Sequence, residues 1–145
     1  MSIEDKNIAM ELCEKINYVN DKLRKVQSKQ MYNQDLTSPQ FSVLEVLYKN
    51  GPLSLVKISR EMLVTGANIT CVIDNLEKEG FVKRIHSTED RRVILAELTE
   101  TGRNKIESIL PEYYKNISSM LSSLNETEQK EIISMLDKIK DSLAS

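Results

Sequence analysis

The stretch SLVKISREMLVTGANITCVIDNLEKEGFVKRIHSTEDRRVILAEL, residues 54–98, decides the fold, because its hydrophobic spacing changes part-way along. Up to about Lys78, apolar residues recur every three or four positions, as they do on the buried face of a helix. The tight turn Thr65-Gly66-Ala67 interrupts that pattern. We therefore predict a short helix capped by Ser54 and ending near Met62, and a second helix from the turn to about Lys78.

A β-hairpin is predicted directly after the second helix. Residues 81–86 and 93–98 are rich in apolar and β-branched side chains, whereas residues 87–92 between them are polar. Gly80 precedes the first segment and is placed to cap the end of the helix. Two helices joined by a tight turn and followed at once by a hairpin are typical of a winged helix-turn-helix fold.

Long helices are predicted on both sides of this lobe, which we assign to residues 36–98. An apolar stripe at spacings of three and four indicates a helix over residues 4–31; its members are Ile8, Leu12, Ile16, Val19, Leu23 and Val26. Within the lobe, Thr37 and Gln40 resemble a capping box for a first helix that ends at Gly51-Pro52. The fold class is therefore mainly α, with a small β component, in a single domain spanning residues 1–145.

Residues 99–143 are predicted to form two further helices. Thr99 caps the first of them, and Pro111 inside its pattern predicts a bend. Asn125 and Glu128 are spaced as the cap of a last helix that ends near Leu143.

Composition excludes several classes of protein. Hydrophobic residues make up 40% of the chain and charged residues 29%, which is typical of a globular protein. The N-terminus has neither a basic start nor an apolar core, and no apolar run approaches membrane-helix length, so we expect a cytoplasmic protein without a membrane segment. Cys13 and Cys71 have no metal-ligand spacing, and the single histidine, His86, has no nucleophile beside it in the sequence, so we expect neither an enzyme nor a cofactor.

The charge distribution favours duplex DNA as the partner. The net charge is −2, but residues 81–92 carry four basic and two acidic side chains, a local charge of +2. The second helix of such a pair enters the major groove, and Thr70 and Asn75 on its polar face are suited to bases or phosphates. Asp74 on this face is unsuited to DNA, and we predict that it pairs with Arg84. The alternative is a polar face that is merely solvated.

The hairpin tip is the second candidate contact. Arg91 and Arg92 lie at a turn with no core position to fill, and arginine is attracted to the negative potential of a narrow minor groove. Arg84 and His86 are placed to reach flanking phosphates. The alternative is a solvated turn in which Asp90 pairs with Arg92, and a helical protein–protein module is the rival function.

Four motifs resemble the MarR family, the multiple antibiotic resistance regulators: LTSPQF at 36–41, NLEKEGFVKR at 75–84, DRR at 90–92 and LTETG at 98–102. The resemblance implies a homodimer on a pseudo-palindromic operator, with repression as the usual outcome. It implies that the helices at 4–31 and 99–143 form the dimer interface. The hairpin is the wing of this fold, and the resemblance also implies that Arg92 is the arginine of the wing that contacts DNA. The expected DNA-binding residues are Thr65, Gly66, Ala67, Asn68, Thr70, Cys71, Asn75, Lys78, Arg84, His86, Arg91 and Arg92.

The resemblance also implies a trigger that releases the DNA. Many members of the family bind small phenolic or aromatic anions, and others sense oxidants through a cysteine in the first helix. The segment at residues 69–74 is also similar to members that respond to quinones, so a quinone-like effector is a further expectation. Cys13 lies near that position, but Glu14-Lys15 replaces the apolar residues that usually follow such a cysteine. A small residue buried in the dimer region is therefore the simpler interpretation of Cys13.

Overall fold

The computed structural model describes residues 7–62 and 66–144 of the chain. Its elements follow the predicted order of two helices, a helix–turn–helix, a hairpin and two more helices. The helices are α1 (Ile8–Tyr32), α2 (Ser38–Asn50), α3 (Leu55–Met62), α4 (Gly66–Lys78), α5 (Glu100–Met120) and α6 (Glu126–Leu143). The strands are β1 (Leu53–Ser54), β2 (Val82–His86) and β3 (Ile94–Leu98), and together they form an antiparallel sheet in the order β1-β3-β2.

Side-chain caps fix the helix starts. The Thr37 hydroxyl accepts from the Gln40 backbone N–H at 3.2 Å, and the Gln40 side chain accepts from the Thr37 N–H at 2.9 Å. Asn125 and Glu128 form the same reciprocal pair at 2.8 and 3.0 Å. Both predicted capping boxes are confirmed. The Asn7 side chain caps α1, which begins at Ile8. Residues 4–6 of the predicted helix lie outside the described residues.

The hydrophobic core lies in the larger of two compact units, which ends at Ile109. Each helix from α1 to α5 and the strands β2 and β3 contribute to it, whereas both residues of β1 are only half-buried. Its buried members are Met31, Leu36, Phe41, Val43, Leu44, Leu47, Ile58, Ile69, Ile73, Leu76, Val82, Ala96, Ile106 and Ile109. The predicted inner face of α4 is confirmed at Ile69, Ile73 and Leu76, whereas Val72 is only half-buried.

The third strand, β1, was not predicted. Leu53 pairs with Ala96 and Ser54 with Leu95, so β1 extends the hairpin sheet by two residues. A two-residue strand is too short to show an alternating pattern in the sequence. Ser54 also performs its predicted cap, because its hydroxyl accepts from the Lys57 backbone N–H at 3.2 Å.

The second unit comprises residues from Leu110 onwards. Here α5 continues through Pro111 to Met120, and the predicted bend stays a prediction. Gln129 closes the α5–α6 connection by donating to the carbonyls of Leu121 and Leu124. The single-domain assignment of residues 1–145 also stays a prediction. Among the described residues, no helix combines the length and apolar character needed to cross a bilayer.

Candidate nucleic-acid interface

The polar face of α4 is open to solvent. Because Ile69, Ile73 and Leu76 are fully buried on one side of this helix, the residues on the other side project away from the core. Exposed positions on α4 include Asn68, Thr70, Cys71, Asn75 and Lys78. Gly66 and Ala67 supply the backbone of its first turn, and Thr65 lies outside the described residues.

One weak hydrogen bond orders part of this face. The Asn75 side-chain amide donates to the Cys71 sulfur, one turn earlier, at 3.9 Å. The contact directs the amide along the helix and leaves its carbonyl oxygen outside this bond. An exposed asparagine on the helix that follows the turn has the donor and acceptor pair that suits an adenine edge.

The hairpin tip holds an arginine outward. The Asp90 carboxylate accepts from the Arg92 guanidinium at 3.1 and 3.2 Å and from the Arg92 backbone N–H at 3.0 Å. The Arg92 side chain nevertheless remains 91% exposed. These bonds, the guanidinium first and the backbone N–H second, hold the pKa of Asp90 below its usual value. The predicted Asp90–Arg92 pair is present, and it orients the guanidinium without burying it.

The turn itself is closed by side chains of its own residues. The Ser87 hydroxyl accepts from the backbone N–H groups of Glu89 and Asp90 at 3.2 and 3.4 Å. His86 Nδ1 lies 2.9 Å from the Arg91 carbonyl, and because a carbonyl can only accept, Nδ1 carries the proton. In its neutral form His86 then has no N–H at Nε2, so it can donate to a phosphate only as the imidazolium.

Arg84 is engaged by two carboxylates of α4, one more than expected. Its guanidinium donates to Asp74 at 2.6 Å and to Glu77 at 2.8 Å, and its side chain is 26% exposed. The predicted pairing with Asp74 is confirmed. The expected role as a phosphate contact stays a prediction, and two carboxylates already engage the guanidinium. The Asp74 hydrogen bond, opposed by partial burial and reinforced by Glu77, raises the pKa of Arg84 above its ordinary value.

The root of the hairpin is locked to the start of α5. Gly80 has φ +80° and ends α4, as predicted, with Phe81 N–H donating to the Leu76 carbonyl at 2.9 Å. The Thr99 hydroxyl donates to the Gly80 carbonyl at 2.6 Å and accepts from the Gly102 N–H at 3.0 Å. A Cβ on Gly102 would lie 2.0 Å from the Phe81 carbonyl oxygen. The LTETG motif is therefore the packing contact between the hairpin and α5.

Cys13 lies apart from this surface, on α1. It is exposed in the isolated chain, and the Asn17 side chain donates to its sulfur at 3.7 Å. Burial of Cys13 in a dimer stays a prediction. Among residues 7–62 and 66–144, no three His, Cys, Asp or Glu side chains are grouped as metal ligands.

Comparison with known proteins decides the family. The MarR family profile matches residues 36–94. The HTH-type transcriptional regulator MhqR of Bacillus subtilis (strain 168) is 34% identical over 77% of this chain and 77% of its own length. The chain belongs to the MarR family. It is a DNA-binding transcriptional regulator and not an enzyme, as the sequence predicted.

Two further relatives from the same bacterium support this membership. The HTH-type transcriptional repressor YetL is 30% identical over 87% of the MarR-family chain and 77% of YetL. The HTH-type transcriptional regulator YkoM is 37% identical over 68% of the chain, and the match spans 64% of YkoM.

Solved structures share the fold over nearly the whole chain. The regulator BldR from Sulfolobus solfataricus superimposes with a TM-score of 0.84 at 26% identity, covering 99% of this MarR-family chain and 100% of BldR. BpsR from Bordetella bronchiseptica, whose DNA binding is regulated by 6-hydroxynicotinic acid, gives a TM-score of 0.82 at 25% identity. The match covers 97% of this chain and 99% of BpsR. A MarR mutant from E. coli complexed with operator DNA gives a TM-score of 0.81 at 22% identity. The match covers 92% of this chain and 99% of the mutant. The predicted winged helix-turn-helix fold is confirmed.

Two features of the interface were not predicted from the sequence of this MarR-family chain. Glu77 is the second carboxylate on Arg84, and Gly102 is the residue that lets α5 approach Phe81. The first could have been anticipated, because Asp74 and Glu77 are three positions apart and share a helix face.

Proposed function

We propose that the chain is a homodimeric, sequence-specific repressor that binds a pseudo-palindromic duplex operator in the cytoplasm. The observation that carries this proposal is the arginine held outward at the hairpin tip, 91% exposed and oriented by Asp90, on the same unit as an open polar helix face. Such a pair of surfaces suits adjacent grooves of one duplex.

The roles follow from the exposed groups. The first turn of α4 directs its backbone N–H groups to a phosphate, and Thr70 and Asn75 address base edges in the major groove. Arg92 enters the minor groove, and Arg91 beside it lies near the phosphates. Lys78 adds charge in the last turn of α4, whereas Lys83 pairs with Glu97 at 3.5 Å on the sheet.

The name of one relative supports repression, since YetL is a transcriptional repressor. We propose release by a small aromatic acid of phenolic or related type, by analogy with BpsR and 6-hydroxynicotinic acid. A cleft of about 490 Å³ beside the hairpin has a suitable size for one such molecule. Ile85, Val93 and Leu95 line it with apolar surface, and Lys57 offers an ammonium group for the acid. Glu89 and Asp90 also line the cleft, so an acid must bind with its carboxylate toward Lys57 and away from these two side chains.

Binding to DNA can be measured by gel shift, using a duplex that the purified protein selects from a random-sequence pool. We expect Arg92→Ala to weaken binding by roughly 10- to 100-fold, the effect of removing one groove contact. Affinity for the selected duplex should also fall steeply between about 50 and 200 mM salt, because phosphate contacts release counterions. Lys130→Ala on α6 is the control, since that lysine is exposed and pairs locally with Glu126.

Unchanged affinity in Arg92→Ala would remove this arginine from the interface, and binding without selectivity or salt dependence would contradict the proposed function.

The same gel-shift assay distinguishes the two proposed triggers, an aromatic effector and an oxidant. Release by 6-hydroxynicotinic acid or salicylate supports an aromatic effector. Release by peroxide that is abolished in Cys13→Ser supports the oxidant alternative, and peroxide release that survives the replacement excludes Cys13 as the sensor.

A further inference from the structure

We propose that Arg84 is a positioning residue that sets the placement of the hairpin relative to α4, so that operator selectivity depends on a side chain engaged by protein carboxylates. The inference rests on the proposed function. It assigns to Arg84, Asp74 and Glu77 a shared role, and we call these three residues the carboxylate fork.

The two bonds of the carboxylate fork restrict the orientation of β2 on α4 as well as the distance between them. Two different nitrogens of one planar guanidinium bind Asp74 at 2.6 Å and Glu77 at 2.8 Å. The two carboxylates lie almost one turn apart along α4, and Arg84 lies in the middle of β2, opposite Ala96 of β3. A single ion pair leaves rotation about its axis free, but two bonds to a rigid planar group restrict both sliding and rotation of β2 on α4.

The carboxylate fork also complements the other fixed point of the hairpin. At the root, the Thr99 hydroxyl bonds the Gly80 carbonyl and ties the start of β2 to α5. At the tip, Asp90 and Arg92 are two residues apart in one turn, so their bonds move with the hairpin and cannot orient it. Arg84 is therefore the ion pair that ties the middle of β2 to α4, and it acts together with the β1–β3 pairing and the buried Val82 and Ala96 that hold the base of the hairpin.

Arg84 can also affect DNA binding through its charge alone. Asp74 and Glu77 are 49% and 43% exposed on the helix proposed to face DNA, so Arg84 also neutralises two carboxylates near the phosphates. The two accounts predict opposite results for Asp74→Asn. Loss of a negative charge alone should tighten binding to every duplex, whereas loss of the fork should weaken binding to the selected operator.

The experiment compares affinities for the selected operator and for a random duplex of equal length, at a temperature where each variant is folded. For Asp74→Asn we expect the ratio of operator to random affinity to fall about tenfold, the size of one mismatched base pair. Arg84→Lys keeps the charge but lacks the planar fork, so it should lower the ratio by a similar factor. Both variants should keep the salt dependence of the original protein, because the number of phosphate contacts is unchanged.

Glu79→Gln is the matched control, because it removes an exposed carboxylate just beyond α4 that lies outside the carboxylate fork. It should change both affinities by the same factor. If Arg84→Lys or Asp74→Asn fails to fold, Glu77→Gln tests the same inference at the longer of the two bonds. An unchanged ratio in a folded fork variant overturns the inference. A starting protein that fails to prefer any duplex contradicts the proposed function instead.

Discussion

The Asp90 carboxylate has two partners on the same residue, the guanidinium and the backbone N–H of Arg92. Both bonds are stronger to the ionised carboxylate than to the neutral carboxyl group, so both hold the pKa of Asp90 below its ordinary value. A carboxyl group whose pKa is lower in the folded state stabilises that state above its unfolded pKa. The stabilisation is lost as the pH falls through the lowered pKa, so the turn should loosen only in acid, below about pH 4.

The guanidinium of Arg92 lowers the pKa of Asp90 more than the backbone N–H does, so replacing that side chain should change the titration of Asp90. In Arg92→Gln, the larger contribution is removed while the backbone N–H remains, so the pKa of Asp90 should rise part of the way to its ordinary value. An NMR titration of the Asp90 side-chain carboxyl carbon measures it. Lys83→Gln removes a hairpin charge that pairs elsewhere and should leave the titration unchanged. An Asp90 pKa that is equal in Arg92→Gln and the original protein would refute the assignment.

Between residues and elements, the junction of α4, β2 and α5 decides whether the hairpin is rigid. Gly80 ends α4 with a positive φ, Phe81 begins the turn into β2, and Thr99 and Gly102 open α5 against them. Three elements thus meet around one carbonyl group, that of Phe81. This carbonyl accepts from the Thr99 N–H at 3.0 Å, so it cannot shift without breaking a hydrogen bond.

We therefore expect Gly102→Ala to destabilise the fold. The added Cβ would lie 2.0 Å from the Phe81 oxygen, and the obstacle is backbone, which cannot rotate aside. Overpacking of this kind costs roughly 1–3 kcal/mol in free energy of unfolding, more than the helix propensity of alanine returns. Thermal or urea unfolding measures the difference. Thr101→Ala, one residue earlier and exposed, is the control, and a Gly102→Ala variant as stable as this control would contradict the close approach.

Helices whose hydrophobic repeat extends over several turns, and helix ends with a capping residue, were predictable from the sequence. Contacts between residues far apart in the sequence were not. The boxes at Thr37 and Asn125 and the glycine at 80 were correct because each depends on neighbours within five residues. Strand β1 was missed because two residues carry no period. Arg84 was assigned a second role at phosphates because its type suits them, and only the fold shows that Glu77 reaches it as well.

At the scale of the whole molecule, apolar surface remains exposed on a helix of each unit. On α1, Ile8 is 85% exposed and Leu12 and Val19 are each 50% exposed. On α6, Met135 is 61% exposed and Leu143 is 75% exposed. Exposed apolar side chains that recur along one helix are typical of an interaction site. Both helices belong to the segments for which family membership implies a dimer interface, so a second copy of the chain is the partner we propose.

A charge on α6 should therefore separate the copies without unfolding either. Met135 is exposed in the single chain, so Met135→Lys removes little from the protomer, but in a dimer it would bury an ammonium group in apolar surroundings. We expect the dimer dissociation constant from sedimentation equilibrium to rise roughly 100-fold or more, a penalty of about 3 kcal/mol. Ser134→Lys adds the same charge to the opposite side of α6 and should leave the constant unchanged. The dimer proposal is wrong if the original protein sediments as a monomer at micromolar concentration. It is also wrong at this helix if both lysine variants remain equally dimeric, because then the apolar stripe of α6 faces solvent in the assembly.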